Sequence, residues 1–256
     1  MLLIKHIFDR RARILDRLLG KRLAFYHVPK CAGTSVSRSL RTRYFLSQHS
    51  VGAPLTFSTS KRVLNDNTQA LRSFRMALFD YLIEKDYYFV GGHVPLCRPT
   101  FDKFRAGRSF ITVLREPVAR FISEFTYNYK TGTYSSVEVS LDDFLRTHEA
   151  VQYGSRYVEY FCGEKDFTRP DERLADQAKG NLELFGVVGS VEDMKTFREN
   201  IKHELGVSVR FGRENTSSSR ARGLAEEIDQ DALGKIRDIC AYDIEIYRHV
   251  IGETSH

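Results

Sequence analysis

The sequence predicts an α/β protein built on a mainly parallel sheet with helices on both faces. Three observations carry that reading. Short apolar runs alternate with stretches of helical periodicity along most of the chain. Polar and glycine-bearing clusters follow the apolar runs, where ligands sit in such sheets, outside the carboxyl ends of the strands. The chain of 256 residues is also long enough for one large core, and no linker divides it.

The elements follow in order. Residues 2–20 place Leu3, Ile7, Ile14 and Leu18 near one helix face, with Arg10, Arg13 and Arg17 elsewhere, which predicts a basic amphipathic helix. It would dock on the domain or lie on an anionic membrane surface. "LAFYHV" (23–28) reads as a buried strand and "GTSVSRSLRTRYF" (33–45) as the helix leaving it. Residues 47–67 read as a polar loop and 68–85 as a helix. "YYFVGGHV" (87–94) and "SFITVLREP" (109–117) are further strands, the latter followed by a helix, "PVARFISEFTYNYK". "TGTYSS" is a loop, and 141–161 holds helical pieces. "LELFGVVGSVEDMKTFRENIKHEL" (182–205) is a strand followed by a helix, and "DIEIYRHVI" a terminal helix. The expected organisation is a helix over 1–20 and a single domain over 21–256.

Composition narrows the function classes. No stretch approaches the roughly 20 uninterrupted apolar residues of a membrane span, and the charged N-terminus lacks a secretory h-region. Cys31, Cys97, Cys162 and Cys240 are far apart and form no C-x-x-C pair, so a reducing, cytoplasmic setting is expected. The net charge of +6 is uneven: eleven Lys or Arg against two Asp or Glu in residues 1–50 leave +9 there and −3 in the remainder. That asymmetry suggests an anionic partner, or else a solvated basic face.

Two loops sharpen the choice. In "PKCAGTS" (29–35), Pro29 constrains the backbone as the chain leaves the strand. Gly33 permits close approach, and Thr34 and Ser35 open a helix whose free N–H groups and dipole attract an anion. Lys30 adds a mobile charge, but it precedes the glycine, opposite to the order in the usual nucleotide-binding loop. In "LREPVARFIS" (114–123), Arg115 ends a strand, Pro117 sits at the first helical position, and Ser123 lies about two turns in. Arg115 can bind phosphate in a bidentate way, and Ser123 can add a hydroxyl donor.

Together the loops resemble those of the sulfotransferases that use 3′-phosphoadenosine 5′-phosphosulfate (PAPS), most closely the carbohydrate branch that includes the heparan sulfate 2-O-sulfotransferases. "GGHVPL" (91–96), "FGVVGSVEDMKTF" (185–197) and "DIEIYRHV" resemble later segments of that family, so the likeness spans most of residues 21–250. Glu116 stands where aspartate is commoner, and Phe125 where tyrosine is frequent. The resemblance implies a P-loop-NTPase-like sulfotransferase fold and transfer of a sulfuryl group from PAPS to a carbohydrate or other small hydroxyl acceptor, leaving 3′-phosphoadenosine 5′-phosphate (PAP). No metal is expected, since lysine and backbone amides can carry the charge and no carboxylate cluster stands out to bind one, and no nucleic-acid partner is expected. Lys30, Cys31, Ala32, Gly33, Thr34 and Ser35 would hold the 5′-phosphosulfate, Arg115 and Ser123 the 3′-phosphate, and Arg220 a further part of the donor. Arg213 and Ser217 are lesser donor candidates, in a segment that often closes over the nucleotide.

Sulfuryl transfer should be in-line, driven by positioning and electrostatics. Lys30 is the candidate to stabilise the bridging oxygen. His93, following two glycines at a strand end, is the candidate general base, with a free imidazole pKa of about 6.5. Its other reading is a histidine that satisfies backbone groups. His27 reads as structural, and Glu116 and Glu124 as weaker bases. Arg98, Lys103, Arg105 and Arg108 would meet an acidic acceptor or form a solvated surface. Tyr127 and Tyr129 would stack on a sugar or belong to the core. Two rival functions remain. A kinase or NTPase would want the reversed lysine order and an acidic magnesium ligand. A non-catalytic binder of nucleic acid or anionic membrane would use the basic N-terminus.

Overall fold

The structure is a computed structural model that describes residues 18–64, 67–130, 140–206, 208–211 and 228–252. The helix expected over 2–20 and the loop at "TGTYSS" lie almost wholly outside these residues.

Strand β1 (Arg22–Tyr26) leads through the lysine-bearing loop into α1 (Gly33–Arg43), where Val36 and Leu40 are buried. Arg41 and Arg43 occupy its last turn, where cations offset the helix dipole. Next come β2 (Gln48–Val51), α2 (Ala53–Val63), which carries a proline in its first turn, and α3 (Thr68–Glu84), whose Asn67 cap accepts the Ala70 N–H. Residues 47–67 are therefore not the polar loop expected of them. β2 is an edge strand with a single neighbour, so its outer side needs no apolar residues and "QHSV" carries no strand signature.

The chain continues through β3 (Phe89–Gly92), α4 (Arg98–Phe104) and β4 (Arg108–Leu114), whose seven residues are all buried. Helix α5 (Pro117–Phe125) is capped by the Glu116 carboxylate, which accepts the N–H groups of Val118 and Ala119, and it runs on into a π-helical turn, Thr126–Lys130. Short helices α6 (Leu141–Leu145), α7 (His148–Gly154) and α8 (Arg156–Phe161) precede α9 (Glu172–Glu183) and β5 (Val187–Ser190). Then come α10 (Met194–Leu205), α11 (Gln230–Ile239) and α12 (Ala241–Ile251).

The five strands pair in parallel in the order β2-β3-β1-β4-β5. The α/β reading with a parallel central sheet flanked by helices therefore holds. From the central β1 the chain moves first toward β2 and β3 and later to β4 on the opposite side, which makes the carboxyl end of β1 a topological switch point. Tyr26, the last residue of β1, is in register with Gly92 of β3 and Thr112 of β4. The loops that follow all three strands thus leave one edge of the sheet.

Two apolar clusters support that edge. The larger packs the sheet with Tyr26, Phe79, Phe101, Phe110 and Phe185. Gly189 on β5 has no room for a Cβ because the Phe197 ring of α10 rests on it. The smaller cluster joins Phe121 and Phe125 of α5 to Phe144, Tyr153 and Ile236. Between them lies a buried ionic network. Glu124 accepts from Arg120 at 2.6 Å and from Arg156 at 2.9 Å.

Candidate active site

The loop after β1 has an alternating backbone. Lys30 (φ 65°) and Ala32 (φ 51°) are left-handed, and Cys31 between them is not. Alternation of this kind turns successive N–H groups toward one side and forms an anion-binding nest. Each left-handed non-glycine residue costs about 1 kcal/mol, a strain that collects at functional sites. Ala32 caps α1 without offering a side-chain acceptor, so no side chain caps the helix start. Gly33 is required by packing. A Cβ there would overlap the His27 imidazole. Thr34 is exposed and Ser35 buried.

Lys30 is half-buried, with its ammonium 3.9 Å from the centre of the Tyr127 ring. Burial lowers its pKa; Glu124 opposes that shift and the positive charge of Arg115 adds to it. Lys30 and Arg115, 85 residues apart in sequence, therefore share one electrostatic neighbourhood. Arg115 is also half-buried. Its backbone N–H donates to the Tyr157 hydroxyl at 2.8 Å, while its guanidinium makes no hydrogen bond or ion pair with the described residues. The Ser123 hydroxyl is half-buried and likewise unpartnered among them. No hydrogen bond joins Ser123 to Arg115.

His93 follows Gly92 on β3. Its Nδ1 is buried with no hydrogen-bond partner among the described residues. Its pKa is pushed down to about 4, first by burial and then by Arg75, so it is neutral at neutral pH. The sequence expectation of an ordinary imidazole is replaced by a weaker base, uncharged at neutral pH. The His27 ring lies 3.8 Å from that of His93, between it and Gly33, and burial lowers its pKa well below the usual value, with His93 adding to the shift.

The two carboxylates weighed as bases have other work. Glu116 is the cap of α5. Burial raises the Glu124 pKa, but Arg156 and Arg120 outweigh it and hold the carboxyl ionised below its usual range. The basic run after His93 is also engaged. Arg98 binds Asp102 and Asn181, Lys103 binds Glu84, and Arg105 lies near Asp102. Arg108 donates to the carbonyls of Leu23 and Tyr87 at the start of β4, the far end from the site. Arg213, Ser217 and Arg220 lie outside the described residues, as does the side chain of Tyr129.

Sequence reasoning missed Arg75, Tyr157 and Arg156. Arg75 projects from α3, donates to Thr56 at 2.8 Å and acts electrostatically on His93. Nothing in the sequence sets it apart from Arg72, the other arginine of the same helix. An open cavity of about 400 Å3 runs along α1 from Ser35 to Arg43, with Ser208, Val209 and Arg210 on its other side. No group of three or more His, Cys, Asp or Glu side chains that could hold a metal lies together among the described residues.

A family model, described as the sulfotransferase family, matches residues 20–249. The chain belongs to the sulfotransferase family. Its loops at 29–35 and 114–123 are thus parts of a sulfuryl-transfer fold. No curated protein matches this sulfotransferase. Among solved structures it is similar to one from the PezAT chromosomal toxin–antitoxin system of Streptococcus pneumoniae, at 13% identity and a TM-score of 0.36, over 94% of this chain and 95% of that one. Nothing about function follows from a likeness at that level. No helix among the described residues is long and apolar enough to cross a membrane.

Proposed function

We propose that this sulfotransferase moves a sulfuryl group from PAPS to a hydroxyl of a carbohydrate or glycan-like acceptor. The observation that carries the reading is the pairing of two basic loops at one sheet edge. One is a nest with Lys30 beside it. The other bears an Arg115 guanidinium that the described residues leave without a partner. These residues fit an anion with phosphates at both ends of a ribose. The carbohydrate class rests on the resemblance of segments 29–35 and 91–96 to the carbohydrate branch.

When bound, the donor supplies an activated sulfuryl group on a phosphate leaving group. The N–H groups of residues 32–35 hold the 5′-phosphate, and Arg115 and Ser123 hold the 3′-phosphate. The cavity along α1 gives the nucleoside end room. Lys30 would offset the negative charge that grows on the bridging oxygen. Its lowered pKa reflects a half-buried ammonium, whose charge is less screened than it would be in water. His93, neutral and with a buried ring nitrogen that no described residue engages, is the base for the acceptor's proton.

Calorimetry with PAP, AMP and ATP on wild type and Arg115→Ala tests the reading. Tight binding that depends on the 3′-phosphate and is lost in Arg115→Ala is expected. Equal or absent binding of all three nucleotides would overturn it and turn attention to the basic N-terminus.

A further inference from the structure

The strand ladder between β1 and β4 ends at Tyr26 and Thr112, short of both loops. Beyond it, among the described residues, no hydrogen bond joins residues 27–32 directly to residues 115–116. The link between the loops is one phenol. Tyr157, fully buried on α8, accepts the Arg115 N–H at 2.8 Å and donates back to the Arg115 carbonyl. The same oxygen lies 3.7 Å from Cys31 Sγ, which also reaches the Pro29 carbonyl at 3.6 Å.

The backbone that carries the ring is anchored. Both carboxylate oxygens of Asp243, from α12, accept the Tyr157 N–H at 3.0 Å, and one accepts the Val158 N–H at 3.2 Å. The Arg120 guanidinium of α5 stands 5.8 Å from the ring centre. Burial raises the phenol pKa well above its usual value, so the hydroxyl stays protonated and able to donate. One buried hydroxyl therefore meets the backbone of the Arg115 loop and the Cys31 thiol of the lysine-bearing loop.

We propose that Tyr157 is a positioning residue that sets the lysine-bearing loop in register with the Arg115 loop, so that the two phosphates of a single nucleotide are met together. The inference rests on the PAPS reading above. It makes affinity for the 3′-phosphate depend on a side chain that touches no ligand. A purely structural tyrosine would affect all nucleotides alike. A registering one affects the nucleotide with two phosphates more than the nucleotide with one.

The test is calorimetry of PAP and AMP on wild type, Tyr157→Phe, Arg115→Ala and the double variant. Tyr157→Phe should weaken PAP by about 10-fold, within the usual range of site-to-site coupling, and leave AMP within about twofold. The Arg115→Ala effect on PAP should shrink in the Tyr157→Phe background. An equal loss for PAP and AMP, or no loss, overturns the inference. A wild type with no preference for PAP removes the PAPS reading itself, a different result. If Tyr157→Phe does not fold, hydrogen exchange on wild type decides. Saturating AMP, which lacks the 3′-phosphate, should slow exchange of the Arg115 amide, and an unchanged rate rejects the link.

Discussion

His27 and His93 stand side by side because Tyr26 and Gly92, the residues before them, are partners in the parallel register of β1 and β3, and their rings lie 3.8 Å apart. Burial keeps both rings neutral, His93 adding to the shift of His27 and Arg75 to that of His93, and the His27 ring bridges Gly33 to His93, the candidate base.

That pair makes stability depend on pH. His93 has a pKa of about 4 in the folded state, and that of His27 is also depressed. The unfolded chain therefore binds more protons than the folded one between about 6.5 and 4, and stability falls as pH drops through that window. Replacement of His93 by Asn should flatten the pH dependence by on the order of 2 kcal/mol, read from urea melts at pH 7 and pH 4.5. Equal slopes in the two proteins would show that His93 is not buried neutral.

The same depressed pKa predicts the activity profile. His93 remains unprotonated well below pH 6.5, so kcat/KM should hold level down to about pH 5 and fall only below it. His93→Ala should lower kcat by about 10²–10⁴-fold while PAP affinity stays near wild type. An acidic limb centred at pH 6.5 in the wild type would place the proton on another group.

Lys30→Met removes the cation nearest the loop while leaving the nest intact. The expected loss in kcat is about 10²–10³-fold, larger than the loss in nucleotide affinity. Tyr127→Leu, which removes the ring beneath the ammonium, should act in the same direction but by less, on the order of threefold. If Tyr127→Leu proves as severe as Lys30→Met in steady-state assays, the tyrosine has a role of its own.

Gly33→Ala puts a methyl group into the His27 ring. The loop and α1 cannot yield together, so nucleotide binding should be lost by calorimetry even where the protein still melts cooperatively. Gly33→Ala with His27→Ala should recover part of it, since the obstructing ring is gone. No recovery would mean that the backbone at Gly33, not the ring, sets the requirement.

Glu124→Gln leaves the fully buried Arg120 without its ion-pair partner, while the half-buried Arg156 keeps Glu159. Breaking a buried pair in this way costs about 3–5 kcal/mol, which for a chain of this size lowers Tm by roughly 10 °C. A calorimetric scan that shows less than 2 °C of change would place the network in contact with solvent.

Much of the site was legible in the sequence because it is written in short segments. "PKCAGTS" and "LREP" each encode a strand end, a turn and a helix start, and such geometry depends on neighbours along the chain. The alternation that predicts a parallel sheet is local in the same way. "QHSV" was illegible because an edge strand can be polar, and α2 because a short run of mixed residues has no clear period.

By itself, then, the sequence determined the α/β class, the two strand-to-helix turns with their basic residues and the histidine at the end of β3, all properties of local backbone preference and periodicity. Only the tertiary structure decided which side chains serve them. Tyr157 meets Arg115 across 42 residues and Cys31 across 126. Arg156 meets Glu124 across 32. The basic residues after His93 are taken up by Asp86, Asp102 and Glu84 instead of facing the site. Such pairings arise from the close packing of helices that no local pattern brings together, and burial there is what moves the charges and pKa values on which the chemistry depends.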